Sequence, residues 1–244
     1  MNRRKLLALL GAAGLNMISG HSASKSDEKE MGRKMFSCVP TPQQTEGPYF
    51  VDEHLHRADI RYDPSDGSVK EGVPLTLQMH VFSVGKTGCK PLAGAIVDVW
   101  QCDAQGIYSD VVDPSFNTVG KKFLRGYQVT DADGRVQFLT IYPGWYPGRT
   151  VHIHFKIRTD PKTMRAYEFT SQLYFEDSFI DRVHEHPAYT AAQRKTGRLS
   201  RTKNEEDGIF RNGGKQLILQ PAKTDPGYAG SFDVGLEMRD GFYR

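Results

Sequence analysis

The sequence predicts an all-β fold: an antiparallel β-sandwich with long loops and at most short helices. Three observations predict it. Apolar and polar residues alternate in many short runs, the pattern of strands that bury one face. Turn residues, among 24 Gly and 13 Pro, separate those runs. The chain contains no internal repeat, heptad or low-complexity tract.

In chain order, the first segment is not part of that fold. Arg3, Arg4 and Lys5 precede an apolar stretch from Leu6 to Ile18 and then small residues, the order of a secretory signal. The stretch is too short for a comfortable membrane span, so no stable span is expected once the signal is removed. The adjacent arginines suggest the twin-arginine route, which exports folded chains and predicts a periplasmic or extracellular location. A general secretory signal with two chance arginines, or a retained anchor, are the alternatives. Residues 1–34 are thus expected to be an export signal and flexible leader, and residues 35–244 a single domain.

From Cys38 to Arg61 turn residues occur without a lasting period, so this part reads as an extended arm laid over the domain. Val73–Val84 alternates and predicts the first strand. Residues 95–110, AIVDVWQCDAQGIYSD, predict a second strand that ends in a glycine turn at Gly106 and delivers Tyr108. FLRGYQVTD and RVQFLTIYP, joined through Asp133-Gly134, predict a hairpin. Thr150–Arg158 and Tyr167–Phe175 predict two more strands. The polar section Glu176–Arg211 allows at most a short helix near residues 187–194, and runs beginning at Gly213 and Gly227 predict two closing strands.

A net charge of +3, evenly spread, argues against a nucleic-acid partner. The three cysteines give one disulfide plus one free thiol as the simplest arithmetic. Cys38 with Cys89 is favoured because both lie in loop-like contexts, and Cys102 ends an apolar run as a small core residue. Three reduced thiols remain the alternative.

The chemistry concentrates in residues 142–155, YPGWYPGRTVHIHF. His152 and His154 are two apart on a strand and face the same side, so both imidazoles can meet one metal ion. Arg149 places a fixed cation where an anionic substrate could approach; a surface ion pair is its plainer reading. With Tyr108 and Tyr146 the histidines make a phenolate and imidazole set, suited to a hard ferric ion. A phenol of pKa about 10 binds as phenolate at neutral pH only beside a strongly acidic cation. Zinc with two histidines usually adds cysteine or carboxylate instead.

These residues resemble the intradiol ring-cleavage dioxygenases of the protocatechuate and catechol type. The resemblance rests on TEGPYF at 45–50, LHRADIR at 55–61, PLAGAIVDVWQCDAQGIYSD at 91–110, FLRGYQVTDADGRVQF at 123–138, residues 142–155, and SQLYF at 171–175. It implies one non-haem Fe(III) per chain, with Tyr108 and His152 as equatorial ligands and Tyr146 and His154 as axial ones. It further implies that Arg149 lies beside a bound catecholate and, more loosely, that Gln172 is the glutamine that orients a ligand or the oxygen species. Tyr146 would be displaced by the incoming substrate. The implied reaction is cleavage of a catecholic substrate by O2 to a cis,cis-muconate-type diacid, as in aromatic catabolism. An exported enzyme with one kind of chain is the subgroup it resembles most, and a homo-oligomer is compatible with it.

A secreted β-sandwich that keeps the fold and metal site without turnover is the alternative function. A two-histidine, one-carboxylate iron site finds no Asp or Glu at suitable spacing from His152 and His154. His54 and His56 read as surface or pocket rim, His184 and His186 as solvated, Glu46 as a brace, and Tyr142 as no ligand. His80 has no assigned role.

Overall fold

The computed structural model describes residues 38–159, 167–190 and 200–237. Two sheets carry the fold. In the first, β1 (Pro74–Gly85) is central: β11 (Gly227–Glu237) follows one edge, and β7 (Arg135–Ile141) and β2 (Gly88–Pro91) share the other. Strand β10 (Ala222–Thr224) lies outside β11. The second sheet runs β6 (Arg125–Val129), β3 (Ile96–Trp100), β8 (His152–Arg158), β9 (Glu168–Tyr174). A small hairpin, β4 (Val112–Asp113) with β5 (Phe116–Asn117), forms a separate ribbon. Among the described residues no helix is long and apolar enough to cross a membrane.

The predicted sandwich is present because alternate residues of both sheets are apolar. Leu75, Leu77, Met79 and Val81 of β1 join Val97 and Val99 of β3 and Ile153, Phe155 and Ile157 of β8 in one buried cluster. The intervening residues of β8, His152, His154 and Lys156, are also buried. The arm lies against two of them, Gly47 beside His154 and Glu46 with Phe50 beside Lys156, while Tyr108 and Tyr146 lie against His152.

The arm is extended as expected and is tied down along its length. Thr41 exchanges hydrogen bonds with Gly235, the Gln44 amide donates to Thr170 O, and Ser171 Oγ donates to Pro42 O. Arg57 donates to the carbonyls of Tyr62, Lys122 and Arg125. The Cys38–Cys89 disulfide closes a separation of 51 residues, while Cys102 is a buried free thiol. A loop of that length corresponds to about 4 kcal/mol of chain-entropy stabilisation. A Cys38→Ser, Cys89→Ser double variant should therefore unfold at lower urea, with roughly 2–4 kcal/mol lost; an unchanged midpoint would show that the bridge contributes nothing.

Four local expectations are corrected. The run from Arg125 and the run from Arg135 do not pair: β6 joins β3, and β7 joins β1. Buried Thr130 holds the end of β6 beside β3 by accepting from the Ala95 amide and donating to Leu92 O. The Asp131 carboxylate then accepts from the amides of Asp133 and Arg135 and turns the chain, while Gly134 O accepts from Val81 N of β1. An Asp-Gly step thus reverses direction but does not choose the sheet. The sandwich is also not wholly antiparallel, because β1 and β11 are parallel.

The run from Gly213 is a 3-10 turn, Gly214–Leu217, followed by a single bridge from Ile218 to Tyr174, not a strand. Its leucines serve two different apolar clusters, Leu217 one and Leu219 the other. The polar section holds helix α1 (Asp177–Val183), and residues 187–190 are helical; residues 191–194, like the leader, lie outside the described residues.

His184 is the fourth correction: it is buried against Tyr189, its ring stacked at 4.7 Å, and Nε2–H donates to Pro143 O. Burial pushes its pKa down to about 4. The folded state therefore holds it neutral, so its contribution is complete above pH 6.5 and is lost as pH falls from there toward 4. We expect the pH-stability slope in that window to flatten in His184→Gln, by up to about 1.4 kcal/mol per pH unit; an unchanged slope would refute the assignment. His186 is exposed, as expected.

Candidate metal centre

Strand β8 brings His152 and His154 to one face, with ring centroids 4.6 Å apart. Both are almost fully buried. His154 is opposite Trp100 of β3, whose ring stacks on it at 4.8 Å, and opposite Gln172 of β9. The imidazole is thus fixed by neighbours on both sides within the sheet.

The two tyrosines arrive on turns from elsewhere in the chain. Tyr108 follows Gly106, which has φ +83°, and a Cβ on Gly106 would lie 2.3 Å from Trp145 O. A Cβ on Gly144 would meet the carbonyls of Asp103 and Ala104 at 2.5 Å. Only residues lacking a side chain let the Tyr108 turn and the Tyr146 turn pack this closely. Thr118 Oγ1 donates to Tyr108 O and Ser109 Oγ donates to Phe123 O, which hold the first turn in place.

Four donor atoms converge as a result. Tyr108 Oη is 3.4 Å and Tyr146 Oη 3.2 Å from His152 Nε2, which is 3.0 Å from His154 Nε2. His152 Nδ1 is 2.6 Å from Thr150 O, and because a carbonyl only accepts, that nitrogen carries the proton. Its Nε2 therefore presents a lone pair to the centre. His154 Nδ1 is buried without a hydrogen-bond partner. If Nδ1 carries the proton, two Nε2 lone pairs face each other; if Nε2 carries it, a buried acceptor is unsatisfied.

A shared cation resolves the facing lone pairs by binding both, with the His154 proton on Nδ1. Two nitrogens bound at roughly 2.1 Å and about 90° apart lie about 3 Å from each other, close to the observed separation. Among the described residues no cluster of three or more His, Cys, Asp or Glu side chains is placed to hold a metal, so binding here needs the phenols.

Burial, then the Arg149 charge, pushes His152 down to about 3, and burial with the neighbouring His152 pushes His154 well below its ordinary value. Both imidazoles are accordingly neutral and available as ligands near pH 7. Burial raises both phenols, so each keeps its proton until a cation compensates the phenolate.

Arg149 is not a surface residue. Its Nε donates to Asp207 Oδ2 at 2.9 Å and its Nη2 donates to Gln172 Oε1. Asp207 also accepts from Thr150 N at 3.0 Å, linking the guanidinium to the backbone just before His152. Burial raises the Asp207 carboxyl, but Arg149 and the Thr150 amide outweigh it and hold it below the usual range. Gln172, fully buried, donates to Thr45 O of the arm and accepts from Tyr174 Oη.

All six predicted site residues therefore fall in one place: Tyr108, Tyr146, His152 and His154 at the centre, Arg149 and Gln172 beside it. The declined candidates lie elsewhere. His54 is exposed beside Asp52, His56 stacks on Tyr127, His80 pairs with Asp233, Glu46 pairs with Lys156, and Tyr142 is core.

Several participants carried no signal strong enough to predict. Asp207 sits in a charged run, NEEDG, that resembles a solvated loop. Tyr49 stacks on Tyr108 at 4.5 Å, and Trp100 covers His154. Arg125, buried, donates to Ser109 Oγ and to Tyr49 O, joining the Tyr108 turn to the arm. Burial, its main influence, lowers its pKa to about 10. The TEGPYF and FLRG segments containing Tyr49 and Arg125 were the available clue.

Comparison with known proteins decides the family. The dioxygenase family model matches residues 45–212, more than half of the chain. An intradiol ring-cleavage dioxygenase from Tetranychus urticae superposes with a TM-score of 0.68 at 31% identity, over 82% of this chain and 95% of that one. The chain belongs to the intradiol ring-cleavage dioxygenase family. Among curated relatives of this family member, the protocatechuate 3,4-dioxygenase beta chain of Burkholderia cepacia is 36% identical over 52% of this chain and 56% of its own. Catechol 1,2-dioxygenase 1 of Acinetobacter lwoffii is 30% identical over 56% of this chain and 46% of its own. The chain thus spans about half the length of these curated relatives.

Proposed function

We propose that this intradiol dioxygenase family member binds one non-haem Fe(III) and cleaves a catechol-type ring with O2, between the two hydroxylated carbons, to a cis,cis-muconate-type diacid. The observation that carries it is the convergence of two phenol oxygens and two imidazole nitrogens at 3.0–3.4 Å. Two phenolate oxygens are hard donors suited to the ferric state, and imidazole nitrogen also suits iron. Tyr108, Tyr146, His152 and His154 would hold the ion, which when bound supplies Lewis acidity that activates a chelated catecholate toward O2.

The remaining residues have definable tasks. Arg149, pinned by Asp207 and Gln172, keeps a cation beside the donor set where negative charge collects on the substrate. Tyr146, less buried than Tyr108 and also part of the lining of the neighbouring cavity, would be the phenol better placed to give way to a substrate and take up a proton. The Thr150 carbonyl fixes the His152 tautomer, and Trp100 with Tyr49 excludes water from His154 and Tyr108.

The Cys38–Cys89 disulfide agrees with an oxidising compartment and so supports export, for which the paired Arg3 and Arg4 suggest the twin-arginine route. Iron-loaded full-length chain given catechol should consume O2 and release a conjugated diacid. A semialdehyde from cleavage outside the diol, or binding without O2 uptake, would contradict the proposed reaction.

A further inference from the structure

Next to the donor set lies a cavity of about 570 Å³. Its walls include Ile107, Phe116, Trp145 and the two tyrosines Tyr49 and Tyr146, with Asp113 at the β4–β5 ribbon. Tyr146 is shared: one part of the residue lines this cavity, and its Oη is 3.2 Å from His152 Nε2. Tyr49 is shared in the same way, with its ring 4.5 Å from that of Tyr108 and 6.2 Å from that of Tyr146. A diol ring seated at the centre past Tyr146 therefore has this space beyond it.

The volume falls within the range of clefts that hold drug-sized ligands and far exceeds what a bare dihydroxybenzene fills. The walls are mainly aromatic and aliphatic. No described Lys, Arg or His side chain lines them, whereas Asp113 supplies a carboxylate. That carboxylate accepts from the Ser115 amide and from Tyr49 Oη at 2.8 Å, and these two donors, the amide first, hold its pKa below the usual range. Arg149, the cation beside the donor set, is already engaged by Asp207, and Arg125 is engaged by the Tyr49 carbonyl and by Ser109.

We propose that this cavity is a specificity subsite for an uncharged, bulky apolar substituent on the diol ring, and that it disfavours ring carboxylates. The inference rests on the ring-cleavage reading and adds its substrate class. An aromatic substituent buries its faces against Trp145, Phe116 and Ile107, while a carboxylate meets Asp113 with no cation to offset it.

The test compares catechol, 4-phenylcatechol and 3,4-dihydroxybenzoate on the iron-loaded full chain by kcat/KM from O2 uptake. Anaerobic quenching of Trp145 fluorescence reads binding separately, with Trp145→Phe as the control. We expect 4-phenylcatechol to exceed catechol by roughly tenfold or more, and 3,4-dihydroxybenzoate to fall below it by a similar factor. Asp113→Asn keeps an acceptor for Tyr49 and should raise the dihydroxybenzoate-to-catechol ratio severalfold; Asp113→Lys should raise it further. Saturable quenching should be strongest with 4-phenylcatechol.

Equal constants for the three diols, or a ratio unmoved in both Asp113 variants, would overturn the subsite while leaving ring cleavage intact. Failure of all three diols to drive O2 uptake would instead remove the ring-cleavage reading and the subsite with it.

Discussion

Tyr108→Phe should leave a folded chain that no longer holds iron tightly and has lost activity by about a thousandfold or more, the equivalent of several kcal/mol of transition-state stabilisation. The substitution removes one oxygen and keeps the ring that stacks on Tyr49 at 4.5 Å, so the packing around the turn survives. What disappears is one of the anionic donors that a ferric ion needs at a site where, among the described residues, no third His, Cys, Asp or Glu side chain is placed beside the histidines to replace it. His154→Ala should show the same loss of metal, together with some loss of stability, because it also leaves a void beside Trp100. Iron content by elemental analysis and circular dichroism separate the two effects. Full iron occupancy and normal rate in Tyr108→Phe would mean that this phenol is not a ligand.

Arg149→Ala should behave differently: iron stays, and kcat falls on the order of a hundredfold or more, the usual scale for deleting a preorganised charge from a reaction centre. The guanidinium touches Asp207 and Gln172 and is not among the four converging donors. Its removal leaves Asp207 buried with only the amides around it, so Asp207→Asn in the same background should recover stability without recovering rate. A variant lacking Arg149 that turns over at the normal rate would remove its role in charge stabilisation. One that loses iron would make it a structural support of the ligands instead.

Much of this site could be read from the residues, for physical reasons. Two residues apart on a strand is a rigid geometric statement, and it placed His152 and His154 together without knowledge of the fold. Tyr108 and Tyr146 needed the resemblance, because a tyrosine at a turn is ordinarily core. The reason they meet lies in Gly106 and Gly144, whose missing side chains matter only when two distant turns are already in contact.

Asp207 could not be read at all. It is 58 residues from Arg149, and its value is tertiary: a loop folded over the end of β8. The sheets show the same division. Alternation marked β1, β3, β7 and β8, but pairing partners depend on Thr130, Asp131 and Gly134, which redirect the chain between layers. Leu217 and Leu219 alternate like a strand and yet serve separate clusters, so period alone misassigned them. His184 lay in a polar neighbourhood and became buried through Tyr189 and Pro143, contacts that no local pattern encodes.

The most direct measurement is the visible spectrum of the purified chain titrated with ferric iron. Coordination by both phenols should produce a broad tyrosinate-to-iron charge-transfer absorption that saturates at one iron per chain and weakens in both Tyr108→Phe and Tyr146→Phe. A colourless protein at full iron occupancy, or an absorption unaltered in both variants, would mean that the two phenols and two imidazoles do not share one ferric ion.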